Sequence, residues 1–210
     1  MLHRFVTCTC LTRNRRQWLP GSIRCYQAQT HPNRELLIVA SGDDVSDLVP
    51  KDDPTIRYVH LGGQGTIGVI RNVAAQLARG EVIAHWDDDD YYHPERLSEQ
   101  VHVLAGGAMA TGYRSCYFQD SVRGKCYRYQ GPQSVGSSLC YRVALWKNNP
   151  FQNLQIGEDV NWVRRVRPYI VDTEGTTRMI ATTHAGGTSP RVVTNRKQWI
   201  ECDESELGQV

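Results

Sequence analysis

No apolar run in this 210-residue chain approaches the roughly 20 residues of a membrane span; residues 36–40 form one of the longest. A signal-peptide core is also missing, since Met1-Leu-His-Arg-Phe5 runs straight into a strand pattern. The expectation is a cytosolic protein, free or peripheral to a membrane. The seven cysteines include no Cys-x-x-Cys pair, and Cys8-Thr-Cys10 alternates as buried strand residues do. That pattern favours reduced thiols over a disulfide framework or a zinc site. A net charge of +2 is too small to argue for nucleic acid. There is no internal repeat and no interdomain linker. With 40% apolar and 22% charged residues, the chain reads as one globular domain over 1–210.

What is present is a run of four aspartates, Asp87 to Asp90, set between the apolar stretch ending at Trp86 and Tyr91-Tyr92. Two carboxylates about 6 Å apart repel by about 3 kcal/mol at an effective dielectric near 20. A loop pinned by a strand before it and a helix after it cannot relax that repulsion. A divalent cation would turn the cost into a site, and hard oxygen ligands suit Mg²⁺ or Mn²⁺.

Periodicity places this run in an alternating pattern. Strands are expected over 5–10, 35–40, 55–61 and 81–86. Helices are expected after residue 14 (Leu19, Ile23 and Tyr26 inward), over the segment carrying Ile70, Val73, Ala74 and Leu77, and after His93-Pro94. Asn14 is a candidate cap for the first helix. Such alternation argues for an α/β fold with an open parallel sheet, whose ligands bind at the carboxyl ends of its strands. Three polar clusters fall at those ends, at 12–15, 41–44 and 87–90. The second half differs. A hairpin is expected over 109–118 and 122–129, a strand over 136–142 and a short helix over 143–147. A helix starts at Gly157-Glu-Asp159 with Val160, Val163 and Val166 inward, and a late strand over 178–183 leads to a loop at 184–189. Residues 203–210 are polar, so 201–210 reads as a tail.

Four segments, in order, resemble family 2 glycosyltransferases. They are Thr12-Arg-Asn-Arg15, Ile70-Arg-Asn-Val-Ala74 before Gly80-Glu-Val-Ile83, Trp86-Asp-Asp-Asp-Asp-Tyr-Tyr-His-Pro-Glu-Arg-Leu97, and Gly157-Glu-Asp159. The resemblance implies a GT-A fold, with a Rossmann-like, mainly parallel sheet flanked by helices and a mixed acceptor-side half. It divides the domain into a nucleotide-sugar-binding half (1–105) and an acceptor half (106–200). It implies a metal-dependent inverting transferase that moves one sugar from a nucleotide-diphosphate sugar, UDP-linked by preference, to a hydroxyl acceptor such as a glycan. The Gln-x-x-Arg-Trp motif of processive synthases is absent. So is the Asp-Asp pair at the end of the second strand, where Ala40 and Ser41 stand.

Carried over residue by residue, the resemblance gives Asp89 metal contact, with Asp87 and a late histidine, His184, completing the shell. Asp87 and Asp88 hold the ribose or a metal-bound water, and Asp90 stands behind them. Thr12, Arg13, Asn14, Ser41 and Asp43 cradle the nucleoside, and Arg71 meets the diphosphate. Asp159 is the candidate general base and Glu158 binds the acceptor or orients the site. Trp146 is an aromatic acceptor candidate. Each has a plainer alternative: Asn14 as a helix cap, Asp43 as an exposed turn, Arg71 as a surface partner of the aspartates, Glu158 and Asp159 as helix caps, His184 as structural. At the level of function the alternatives are a sugar-phosphate nucleotidyltransferase and a non-catalytic nucleotide-sugar-binding module.

Overall fold

β1 (Val6–Thr12) and β2 (Arg34–Ala40) are buried almost throughout, as parallel strands covered on both faces are. In this computed structural model, which describes residues 4–63, 65–187 and 197–209, they pair in register from Val6↔Arg34 to Thr12↔Ala40. Gln64 of the glycine-rich segment, Thr188 and Ser189 of the late loop, and Val210 lie outside the described residues. Alternate residues of β2 serve two cores. Leu36, Ile38 and Ala40 pack with Leu19, Ile23 and Tyr26 of α1 (Leu19–Gln27), while Leu37 and Val39 pack with Ile70 and Ala74 of α2 (Ile67–Leu77). β3 (Ile56–His60) extends the parallel sheet beyond β2, and β4 (Val82–His85) flanks β1 on the other side. The strand order is therefore β4-β1-β2-β3, and the carboxyl ends of β1, β2 and β4 open onto one edge.

β5 (Tyr91–Tyr92) and α3 (Arg96–Ala105) follow the aspartates. The long β6 (Ala110–Asp120) forms a hairpin with β7 (Lys125–Gln130), and β8 (Cys140–Arg142) inserts antiparallel between β6 and β4. α4 (Val143–Asn148) and α5 (Glu158–Val166) cover this half. β9 (Ile170–Glu174) and β10 (Met179–Thr183) both run parallel to β6. β11 (Trp199–Cys202) closes the sheet against β7. The sheet is thus parallel in the first half and mixed in the second.

Several local expectations are corrected. α1 begins only at Leu19, with Trp18 at its N-cap, so Asn14 caps no helix. The hairpin turn lies at 121–124 and starts two residues later than the expected 119–121, because Asp120 accepts the Val122 and Arg123 N–H groups and starts the turn. Residues 136–138 form a 3-10 turn and not strand. Val160 is exposed on α5, and Trp162 takes the inward place. Trp146 is buried and donates its indole N–H to Asn72, which makes it core and not an acceptor platform. Residues 201–202 belong to β11 and 204–209 form a 3-10 helix, so the tail is shorter than expected. All seven cysteines are free.

The end of the sheet away from the aspartates is held by one buried carboxylate. Glu35 Oε1 accepts from Thr7 Oγ1 at 2.7 Å and from the Arg79 N–H at 2.9 Å, and Oε2 accepts from Arg57 at 3.0 Å. Glu35→Ala removes at once the charge partner of Arg57 and the acceptor of the Thr7 hydroxyl and the Arg79 amide, leaving Arg57 only the Leu77 carbonyl. Chemical denaturation is expected to register a loss of about 3 kcal/mol.

Candidate active site

Each polar segment at the carboxyl edge is placed by the backbone that precedes it. β1 delivers Thr12, and the chain then turns through Asn14 in a left-handed conformation (φ 55°). That turn aims Asn14 Oδ1 at the Asp43 N–H, 2.9 Å away, and ties the β1–α1 loop to the segment after β2. β4 ends at His85, and Trp86 is fully buried below the aspartates. Asp87 is fixed through its backbone: its N–H donates to Tyr92 Oη at 2.9 Å and its C=O accepts from Ser22 Oγ at 3.2 Å. Arg96 lies beneath, fully buried, with its guanidinium carbon 4.1 Å from the Tyr92 ring centre and 5.2 Å from that of Trp86.

The result is a cavity of about 480 Å³. Its lining includes Thr12, Arg13, Asn14, Ser41, Arg71, Asp87, Asp88, Asp89, Glu158, Asp159 and His184. Of the residues nominated from sequence, Asp43 and Trp146 are not in the lining; the Asp43 side chain is exposed and its contribution is the N–H bonded to Asn14.

The four aspartates are not equivalent. Oxygens of Asp87, Asp89 and Asp90 lie within 4.8 Å of one another, and His184 Nε2 is 2.9 Å from Asp89 Oδ2. Asp90, expected to stand behind the others, joins this triad, although its oxygens already accept from the Thr182 N–H at 2.9 Å and Tyr92 Oη at 3.4 Å. Asp88 turns away from the triad and is 1% exposed. Burial and the neighbouring Asp89 charge raise its carboxyl to about 7 against the pull of Arg15. Burial, then Asp89 and Asp87, push Asp90 well above the ordinary carboxylate range. Asp87 is raised too, by burial and by Asp89, with Arg71 opposing.

Two arginines answer this charge. Arg71 is in the second turn of α2. Its Nε donates to Glu158 Oε1 at 2.9 Å, and Nη2 lies 4.0 Å from Asp87. Burial works against its charge, but Asp87, Glu158 and Asp159 outweigh it and hold it protonated. Among the described residues its buried Nη1 has no hydrogen-bond partner, which leaves a donor for an anion at the cavity wall. Arg15, not singled out from sequence, donates from Nη1 to Asp88 Oδ1 and Asp89 Oδ2, each at 3.0 Å. The sequence carries the signal, since Arg15 closes the Thr12-Arg-Asn-Arg15 motif.

On the far wall, Gly157 takes a left-handed conformation (φ 76°) and starts α5, which points Glu158 and Asp159 into the cavity. Glu158 is spent on Arg71. Asp159 lies against Gly136, where an added Cβ would come 1.7 Å from Asp159 Oδ2. The Gly136 carbonyl is itself held by the ring of His85, Nδ1 to O 2.8 Å. Burial and nearby Arg71 keep His85 neutral.

Residues 10–168 match the sequence profile described as glycosyl transferase family 2. The chain belongs to that family. It is 31% identical over 166 residues to an uncharacterized glycosyltransferase of Rickettsia conorii, covering 70% of this chain and 27% of that protein. It is 29% identical over 170 residues to the putative colanic acid biosynthesis glycosyl transferase WcaA of Escherichia coli, covering 78% of this chain and 58% of WcaA. The matched region thus spans between a quarter and three fifths of these relatives. The fold is that of Staphylococcus aureus TarS residues 1–349 in complex with UDP-GlcNAc (TM-score 0.71, 18% identity, 90% of this chain and 62% of that one). It is also that of the mannosyltransferase PcManGT from Pyrobaculum calidifontis in complex with GDP-Man and Mn²⁺ (TM-score 0.68, 16% identity, 86% and 56%). This family 2 chain therefore has the GT-A fold. No helix among its described residues is long and apolar enough to cross a membrane.

The contact between Gly136 and Asp159 yields a test. In Gly136→Ala the backbone of residue 136 stays with His85 and the Asp159 carboxylate gives way. In an assay of the transfer proposed below, kcat should fall about tenfold or more while donor KM and circular dichroism are unchanged, since displacements near 1 Å carry such costs.

Proposed function

We propose that this protein is a metal-dependent inverting glycosyltransferase that moves one sugar from a nucleotide-diphosphate sugar, UDP-linked by preference, to a hydroxyl group of a glycan or similar acceptor. One observation carries the reading: a single cavity at the carboxyl edge of β1, β2 and β4 brings together the acidic triad, a buried arginine with a donor to spare, and a carboxylate on the opposite wall.

Charge supports the metal. Six carboxylates and three arginines line the cavity, and a diphosphate would add further negative charge. Three carboxylates beside an imidazole are a hard donor set that fits Mn²⁺ or Mg²⁺. Asp87, Asp89 and His184 are the residues assigned to hold it, with Asp90 adjoining. A cation bound there would stabilise the charge that gathers on the departing diphosphate.

The remaining roles belong to the chain. Thr12, Arg13, Asn14 and Ser41 form the wall for the nucleoside, and the GT-A neighbours in complex with UDP-GlcNAc and GDP-Man are consistent with either base. With Asp43 outside the lining, base recognition rests on Ser41 and backbone groups. Asp88 is assigned to the ribose side. Arg71 offers Nη1 to a phosphate oxygen. Asp159 accepts the acceptor hydroxyl's proton as that oxygen attacks the anomeric carbon, so bond making and breaking occur in one displacement with inversion. Glu158 positions Arg71. Its pairing with Arg71 and the place of Asp159 in the cavity favour transfer to a hydroxyl over nucleotidyl transfer, which leaves both carboxylates without a task. One E. coli relative, 31% identical over 96 residues (44% of this chain and 38% of that protein), is a UDP-Glc:α-D-GlcNAc-diphosphoundecaprenol β-1,3-glucosyltransferase. It supports a glycan acceptor and UDP-sugar donor for this chain too.

Asp159→Asn should lower kcat for transfer by about 10²-fold or more, with little change in donor KM. EDTA should abolish transfer by the wild type, and added Mn²⁺ restore it. Full activity in Asp159→Asn would remove that residue from the mechanism.

A further inference from the structure

The acidic triad already has a cationic neighbour that the proposed mechanism does not use. Arg15 Nη1 bridges Asp88 Oδ1 and Asp89 Oδ2 at 3.0 Å each, and Nη2 donates to the Gly186 carbonyl at 3.0 Å. One guanidinium thereby joins the β1–α1 loop, the aspartate run and the 184–187 loop. Its side chain is 15% exposed, so the contacts are sheltered from water. Asp89 Oδ2 is doubly engaged. His184 Nδ1 accepts from the Gly186 N–H at 3.1 Å, so Nε2 carries the ring hydrogen and donates to the same Oδ2 at 2.9 Å. An oxygen that accepts from two donors has little left for a third partner. Trp18 packs its ring against His184, with centroids 4.8 Å apart, and steadies this closed arrangement.

Asp88 explains how the arrangement can open. It lies outside the triad and is already bonded to the same Nη1. Arg15 can give up Asp89 and keep Asp88, without carrying an unpaired charge through the interior. Asp88 Oδ2 is buried with no hydrogen-bond partner among the described residues, so the carboxylate has an acceptor to spare for the retreating fork.

We propose that Arg15 is the resident counter-cation of the acidic loop, that it withdraws from Asp89 onto Asp88 when a divalent cation is bound, and that it thereby sets the affinity for that cation and couples its binding to the 184–187 loop. This rests on the metal-dependent reading above. It divides the four aspartates: Asp87, Asp89 and Asp90 face the cation, and Asp88 receives the arginine in addition to its place on the ribose side.

The test is Mn²⁺ binding to the purified, donor-free protein, read as the electron paramagnetic resonance signal of unbound Mn²⁺. Arg15→Gln, which keeps a donor but removes the charge, should bind Mn²⁺ about tenfold more tightly than wild type, the scale of one charge-assisted bond no longer broken on binding. Arg16→Gln, whose parent pairs with exposed Asp47, controls for net charge and should match wild type. Asp88→Asn should weaken Mn²⁺ binding although it is no member of the triad, and this weakening should vanish in the Arg15→Gln background. Equal affinity in Arg15→Gln and wild type, or the same Asp88→Asn effect in both backgrounds, would overturn the role of Arg15 and leave the metal-dependent reading standing. Absence of Mn²⁺ binding in every variant would overturn both. If Arg15→Gln does not fold, Asp88→Asn alone decides: affinity at or above wild type contradicts the proposal.

Discussion

Repulsion among the carboxylates at the end of β4 is the constraint on which the rest of the site depends. Four aspartates follow a fully buried tryptophan with no room to spread, and Glu158 and Asp159 face them across the cavity. The protein answers with guanidinium groups from three elements. Arg15 comes from the loop after β1, Arg71 from α2, and Arg96 from α3, the last acting through the rings of Trp86 and Tyr92 and not through a carboxylate. Arginine suits this task because its fork can serve two acceptors at once and it stays charged when buried. Burial, together with a balance that remains negative, makes Asp88 and Asp90 hold protons more tightly than exposed aspartates do. On the proposed reading, a diphosphate enters such a cavity together with further positive charge.

The same constraint links the two halves of the chain. Arg71 lies on α2 in the first half, yet its side-chain hydrogen bond is to Glu158 at the start of α5 in the second half. Asp159 lies beside Gly136, whose carbonyl is bonded to His85 at the end of β4. The wall carrying the proposed base is therefore referenced to the strand that carries the aspartates. Neither half can shift by much without disturbing the other, which is what the proposed alignment of an acceptor hydroxyl with an anomeric carbon requires.

Much of the frame was legible in the sequence because it rests on local signals. Continuous apolar runs marked β2 and β4, the spacing of Leu19, Ile23 and Tyr26 marked α1, and the order of four short motifs marked the family. What was not legible depends on side chains meeting across long separations in sequence. Asn14 looked like a helix cap, but three dimensions give it a partner in the Asp43 amide. Trp146 looked free for a ligand until Asn72 and the α5 core covered it. The division of the aspartates into a triad and a separate Asp88 follows from where β4 ends and where Arg15 arrives, and neither is written in a run of identical residues.

The central claim is that this cavity takes up a nucleotide sugar together with a divalent cation. Thermal unfolding of the wild type with UDP-, GDP- and dTDP-sugars, each with and without Mn²⁺, tests it most directly, because a ligand that binds only the folded state raises the melting temperature with its concentration. The account predicts a concentration-dependent rise with a UDP-sugar that requires Mn²⁺. No rise with any nucleotide sugar, or an equal rise in EDTA, would contradict it.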